Sequence, residues 1–279
     1  MGPDRATIIT LGSALPPAIG IFGRLEALLR QPDTGLDEIV ALVRVDPVLT
    51  FQVIRLGNSA FYGLKNHCDS LEEAVARIGF GDIHSLVGLV AARQACQQDL
   101  PAYQLSAGRF WENAVATSEI MAAVAARNGT DAHTAYSTGL LRNLGRIVLN
   151  NHVGAVRYPG AAATPDLTAW EKSTYGVTGA EVGATLLEHW RFSAATVAAV
   201  KFQAAPAAAE LVVPAAMLHL SAAAAEAWGF GLPGETPLWR EDSALHELAG
   251  ITEADWRELL PAARVKFDRV TGIKWAAAA

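Results

Sequence analysis

The 279-residue chain contains only two cysteines, Cys68 and Cys96. One pair makes no disulfide framework and its spacing is not that of a metal site, so both read as small buried hydrophobes in a reducing, cytoplasmic setting. Basic residues are in the minority: 22 Lys and Arg stand against 28 Asp and Glu, a net charge of −6. The imbalance is even, with 8 against 11 over residues 1–100 and 14 against 17 beyond, and no basic stripe forms. A nucleic-acid partner is thereby disfavoured, since neutralising a row of phosphates needs clustered Lys and Arg. Long hydrophobic runs are missing too. The longest charge-free apolar stretch, Leu211 to Ala225, carries Pro214, His219 and Ser221 and is closed by Glu210 and Glu226. It falls short of the roughly 20 residues that a membrane span requires. Met1–Ile21 shows no basic start followed by an apolar stretch and a small-residue cleavage site, so neither export nor membrane insertion is expected.

What is present is helix. Hydrophobic residues make up 51% of the chain and charged ones 18%, too apolar for disorder. Apolar residues recur at helical spacing after Pro16–Pro17 (Ile19, Phe22, Leu25), after Thr34 (Leu36, Ile39, Val40, Val43) and after Asp46-Pro47 (Leu49, Val53, Leu56). Asp46-Pro47 is a cap followed by proline at the first helical position. Ser70-Leu71-Glu72-Glu73 has the pattern of a capping box. Further helices are predicted from about Asp82 to Gln97, Phe110 to Arg127, Asp131 to Asn151, from Thr168-x-x-Glu171, from Thr178 to Trp190, from Ser193 to Gln203 and over Leu211–Trp228. Two or three short helices follow a Gly/Pro-rich loop at 229–237, one of them capped by Thr252-x-x-Asp255. No alternating strand run competes, so the fold class is all-α. Asp99-Leu100-Pro101 marks a boundary between residues 1–100 and 101–279. Broad apolar faces on both sides of so short a link imply two halves packed on each other with a groove between them.

Motifs of catalysis are scarce. The chain has no Gly-x-Ser-x-Gly elbow, no phosphate loop and no Cys-x-x-Cys. Seven histidines are scattered, and no two stand three or four apart as paired metal ligands on a helix do. Glu188-His189 are adjacent and so point to different helix faces. Gly57 and Gly63 let the chain turn around Asn58-Ser59-Ala60-Phe61-Tyr62, where Asn58 and Ser59 can bond nearby backbone and Phe61 and Tyr62 can plug a gap. The simplest reading is a structural corner, and an aromatic docking spot is the alternative.

Four pieces in order carry a resemblance: Leu15-Pro16-Pro17, Asp46-Pro47-Val48-Leu49-Thr50, Leu56-Gly57-Asn58-Ser59-Ala60-Phe61-Tyr62-Gly63, and Ser70-Leu71-Glu72-Glu73-Ala74-Val75 with Gly79. They resemble the HDOD family. Downstream, Phe110-Trp111, Gly139-Leu140-Leu141-x-x-Leu144-Gly145 and Ala180-Glu181-Val182-Gly183 resemble that family's HD-phosphohydrolase-like half. The similarity covers about Leu15 to Trp228. It implies an N-terminal helical bundle packed on an HD-like helical bundle. HD enzymes hold metal ions with histidines and aspartates, including an adjacent His-Asp pair, and the metal activates a water. At the corresponding positions this sequence has Arg142-Asn143 for the pair, Asn113 two residues after Trp111, Gly179 before Ala180-Glu181, Gln203 where a His-His pair falls, and Ala222 for an aspartate.

The resemblance therefore implies a protein without catalytic activity, metal or cofactor. The expected role is a bacterial signalling or regulatory module, an output domain or stand-alone partner acting on another protein. The alternative is a sensor that binds a small anion or nucleotide in the former metal cavity near Arg142. Arg142 is expected to point into that cavity and, being buried, to pair with an acid, Glu181 being the first candidate.

Overall fold

In the computed structural model, which describes residues 2–59, 67–152, 156–160 and 166–273, side-chain caps fix most helix starts. Asp4 accepts from Thr7 N ahead of α1 (Arg5–Gly12). Pro17 opens α2 (Pro17–Leu29) and Gly35 precedes α3 (Leu36–Arg44). The Asp46 carboxylate accepts from Leu49 N at 2.9 Å, starting α4 (Pro47–Gly57) as its Asp-Pro pair predicts. Ser70 caps α5 (Leu71–Ile78), but Glu73 reaches back to Asp69 N rather than to Ser70 N, so the predicted box is only half closed. Gly79, at φ +86°, turns the chain directly into α6 (Phe80–Ala95).

The second half runs through α7 (Ala107–Asn128), α8 (Ala132–Leu141), α9 (Leu144–His152), α10 (Leu167–Tyr175), α11 (Gly179–His189), α12 (Ala194–Phe202) and α13 (Val212–Ala225). A π-helical turn at Glu226–Phe230 leads through an irregular loop to α14 (Ser243–Leu248) and α15 (Glu253–Thr271). Ser106, Asp131, Thr178, Ser193 and Thr252 supply the caps of α7, α8, α11, α12 and α15. No strand occurs among the described residues, only an isolated bridge between Leu100 and Leu105. No single helix among them is long and apolar enough to cross a membrane.

Two predicted helices are corrected. The segment expected as one helix from Asp131 to Asn151 is two, α8 and α9, interrupted at Arg142 and Asn143. The apolar period runs unbroken across the interruption, but the Arg142 side chain turns into the interior, and this the period does not register. The helix expected from Thr168 begins one cap earlier, because Asp166 accepts from Ala169 N at 3.1 Å. Glu171 is thereby released from a capping role.

One continuous apolar core runs through both halves. Helix α6 is the connector: it packs on α2, α4 and α5 of the first half and on α7 and α8 of the second. Phe22 of α2 stacks against His84 of α6 and Phe192 after α11, with ring centroids 5.0 and 5.7 Å apart. Buried Glu26 takes Arg30 at 2.8 Å and the Ser193 N–H at 3.3 Å, tying α2 to the start of α12. Helix α1 packs on α9 and α11, although it precedes the Asp99–Pro101 link.

Two glycines set the spacing of the second half. A Cβ on Gly139 would lie 2.4 Å from Ser118 Cα, and one on Gly145 would lie 1.9 Å from Gly179 O and 2.6 Å from Gly183 N. Backbone therefore meets backbone where α8 crosses α7 and α9 crosses α11. Gly145→Ala is expected to destabilise by about 3 kcal/mol, because overpacking against backbone has no side chain to yield. Gly108→Ala, on the exposed first turn of α7 with nothing within 4 Å, is expected to be neutral or to stabilise by up to about 1 kcal/mol. Urea denaturation of the two variants checks the contrast.

Candidate functional site: a buried arginine and glutamate cluster

The interruption between α8 and α9 delivers Arg142 to the middle of the second half. Its guanidinium is 1% exposed and so is the carboxylate it meets, Glu235, from the loop after the π-turn. Arg142 Nη2 lies 2.7 Å from Glu235 Oε2 and Nη1 lies 3.2 Å from Oε1, a two-pronged contact. Arg142 Nε and Nη2 also donate to Asn113 Oδ1 at 3.2 and 2.8 Å, and Nη1 donates to Gln203 Oε1 at 2.9 Å. The Asn143 amide, with its oxygen toward the guanidinium, accepts from Nε and Nη2 at 3.3 and 3.2 Å. The face of the Trp239 ring covers the guanidinium at 5.3 Å.

Arg146, one turn further on, extends the cluster. Its Nη1 is 2.6 Å from Glu235 Oε1 and its Nε is 3.7 Å from Glu171 Oε1. Glu171 accepts the Tyr103 hydroxyl at 2.9 Å and the Gly179 N–H at 2.8 Å. Two guanidiniums and two carboxylates therefore lie together out of water with no net charge. Burial pushes the Glu235 carboxyl up, but Arg142 and Arg146 together outweigh it and hold the acid below the usual range. Glu171, for which burial outweighs Arg146 and its hydrogen bonds, is raised. Burial draws Arg142 downward against the pull of Glu235, whereas Arg146, facing two carboxylates, is held above its ordinary value.

Of the positions singled out from the sequence, Asn113, Arg142, Asn143 and Gln203 are brought into direct contact. Gly179 joins through its backbone N–H to Glu171, and a Cβ there would meet Arg146 Cγ at 2.9 Å. Ala222 is buried in α13 and brings no polar group. The expected Arg142–Glu181 pair does not form. Glu181 sits on the third residue of α11, where it closes the capping box on Thr178 N at 2.8 Å and pairs with Lys172 at 2.7 Å. Arg142 pairs instead with Glu235. Asn58 clamps Cys68, donating to its carbonyl at 2.8 Å and accepting its N–H at 2.7 Å, and Ser59 donates to Leu56 O at 2.5 Å. Phe61 and Tyr62 lie outside the described residues.

Comparison with known proteins bears on this geometry. The HDOD domain profile matches residues 15–206. The chain belongs to the HDOD domain family. Its fold is similar to that of a candidate phosphohydrolase from Shewanella amazonensis SB2B (26% identity, TM-score 0.69, 92% of this chain and 91% of that one). It is also similar to an HDOD domain protein of unknown function from Geobacter sulfurreducens (19%, TM-score 0.70, 96% and 97%). A third similar structure is a candidate signal transduction protein from Marinobacter aquaeolei VT8 (23%, TM-score 0.71, 92% and 58%). In sequence it is 29% identical over 185 residues to an uncharacterized protein of Treponema pallidum (strain Nichols), spanning 64% of this chain and 35% of that relative's length.

The side chains of this HDOD cluster do not fit a divalent metal. The Asn113 and Gln203 carbonyl oxygens and the Glu235 carboxylate are engaged by guanidinium N–H groups, and Glu171 by the Tyr103 hydroxyl and the Gly179 N–H. His219, against the Gln203 backbone, has neither nitrogen free: Nδ1 faces Gln203 O at 2.8 Å and Nε2 accepts from Arg240 N at 3.0 Å. Burial holds its pKa below the usual value, which suits this neutral form. Among the described residues no three His, Cys, Asp or Glu side chains gather as a metal site needs. Glu235, Arg146, Glu171 and Tyr103 escape sequence reasoning. The one legible signal is Arg146 four residues after Arg142 inside an apolar segment, which marks a shared face.

Arg142→Ala is expected to lose on the order of 3 kcal/mol in urea denaturation, because it strips Glu235 of its two-pronged partner. The paired replacement Arg142→Met with Glu235→Leu is expected to cost less than the sum of its single changes. The acid limb carries a second expectation. Since the folded Glu235 pKa lies below its ordinary 4.5, the unfolded chain takes up the proton first. This carboxylate's stabilisation is complete above that value and is lost as pH falls beneath it. Glu235→Gln is therefore expected to flatten the decline of the denaturation midpoint below about pH 4.5, a carboxylate titration range.

Proposed function

We propose that this HDOD chain is a non-catalytic regulatory module of a signalling system, an output domain or stand-alone partner that acts by binding another protein. One observation carries the reading: a fixed cation, Arg142, with its own countercharge occupies the interior position where the family resemblance places a metal ligand. A permanently charged guanidinium repels a second cation. Gly179 and Ala222 offer no donor, and Asn113 and Gln203 are neutral and engaged. The name of the Marinobacter structure, a candidate signal transduction protein, supports a signalling role, and that of the Shewanella structure supplies the rival, a phosphohydrolase. The sensor alternative finds less support, because the N–H groups of Arg142 that such an anion would need are already bonded to Glu235, Asn113 and Gln203. A cytoplasmic setting is in keeping with free, buried Cys68 and Cys96, the latter thiol pushed up to about 12 by burial.

Metal analysis of protein purified without a histidine tag is expected to find no stoichiometric Mn, Fe, Mg or Zn. Phosphodiesterase assays with added Mn, on phosphate esters and cyclic dinucleotides, are expected to show no turnover. Arg142→His with Asn143→Asp is not expected to rescue either, because the remaining positions still lack donors. A stoichiometric metal that resists dialysis, or turnover abolished by His219→Ala, overturns the non-catalytic reading.

A further inference from the structure

We propose that the groove between α2, the α3–α4 corner and the turn after α11 is a docking site for an acidic, amphipathic protein segment. The proposal deepens, and rests on, the reading of the chain as an interaction module. Two adjoining cavities of about 370 and 310 Å³ share Arg24, Val45 and Arg191 in their linings. Leu28 and Leu42 floor the first, and Ile21 and Trp190 the second. The walls come from both halves of the molecule.

Charge selects the occupant. Arg24 and Arg191 are exposed and neither side chain has an acidic partner among the described residues. The carboxylate of Glu38, on the lining of the first cavity, caps Gly35 N at 3.0 Å. A chain of net charge −6 thus presents two unpaired guanidiniums on one groove. A partner with carboxylates at matching positions satisfies both. Apolar surface selects the rest. Val45, 66% exposed, lines both cavities, and Val48 and Phe51, at 57% and 60% exposed, follow it in sequence on α4, one turn apart and outside the two linings. An exposed apolar strip beside a charged rim is a mark of an interaction surface.

The backbone at Arg191 adds an independent observation. Phe192 N donates to Leu187 O at 3.0 Å, so α11 ends in a Schellman turn whose left-handed position is Arg191, at φ +65°. Glycine is the ordinary residue there and a side chain is strained. Among the described residues the Arg191 side chain makes no hydrogen bond or ion pair that repays this. Its carbonyl accepts from Arg30 at 3.2 Å, a bond that any residue at 191 supplies. The guanidinium itself therefore has its use outside the fold, toward a bound partner.

The test is fluorescence anisotropy of the full chain with a labelled helical peptide carrying leucine at every third or fourth position and glutamate between. A counterpart with lysine for glutamate and a leucine-free glutamate oligomer complete the set. The glutamate–leucine peptide is expected to bind, more weakly as salt rises. Arg24→Glu with Arg191→Glu is expected to raise its Kd at least about tenfold, and Val45→Asp to weaken it. Lys201→Glu, on a separate surface cavity, is expected to leave it unchanged. Arg191→Gly keeps the fold testable: binding is expected to weaken while the thermal midpoint holds or rises. Absence of binding, or binding indifferent to the arginine pair, overturns the proposal. Equal binding of the leucine-free oligomer reduces the groove to an anion site and overturns it as well. A dimer dissociated by Val45→Asp, with no peptide bound, assigns the groove to a second copy instead. A chain that binds no peptide and hydrolyses nothing loses this site yet keeps the non-catalytic reading. A chain that turns over phosphodiesters loses that reading whatever the peptide does.

Discussion

A guanidinium taken out of water must bring its countercharge with it, and the second half of this protein is arranged around that requirement. Arg142 and Arg146 enter from the α8–α9 junction, Glu171 from α10 and Glu235 from the late loop, while Asn113 of α7 and Gln203 after α12 complete the hydrogen bonds. Removing any one charge leaves the others desolvated and unbalanced, so the elements that carry them are held to one geometry. The close approach of α9 to α11 at Gly145 serves this, because it sets Arg146 of α9 beside Gly179, whose N–H holds Glu171. Polar satisfaction and backbone packing are here one constraint.

The helices were largely legible because their signals are local. Asp46-Pro47, Thr178-x-x-Glu181 and Thr252-x-x-Asp255 each name a cap with side chains at the cap and the first turn, and each cap is found. The site was legible only on one side. Its cationic member stood out as an arginine among Leu140, Leu141 and Leu144, and the resemblance marked Asn113 and Gln203. The anionic side left no mark. Glu171 looked like the third residue of a capping box, and Glu235 lies in a stretch of glycine and proline where periodicity says nothing. Glu181 stands within the Ala180-Glu181-Val182-Gly183 resemblance, yet the capping box it closes with Thr178 occupies its carboxylate.

The family profile ends at residue 206, and Glu235, Trp239 and Arg240 all come after it. The segment that the profile matches thus supplies the arginines, the amides and Glu171, and the segment after it supplies Glu235, the aromatic cover and the N–H that fixes His219. Internal ion pairs join helices across the interior of the second half.

The lateness of Glu235 has a consequence for how the chain comes off the ribosome. Synthesis delivers Arg142 and Arg146 nearly a hundred residues before their shared carboxylate, and until the loop after α13 has emerged Arg146 has Glu171 to face while Arg142 lacks its Glu235 partner. An interior that already holds α7 to α12 must stay open and wet at its centre until then, because sealing it would strand a charge. The loop after α13 acts as a keystone, and closure of the second half waits on its arrival rather than advancing helix by helix.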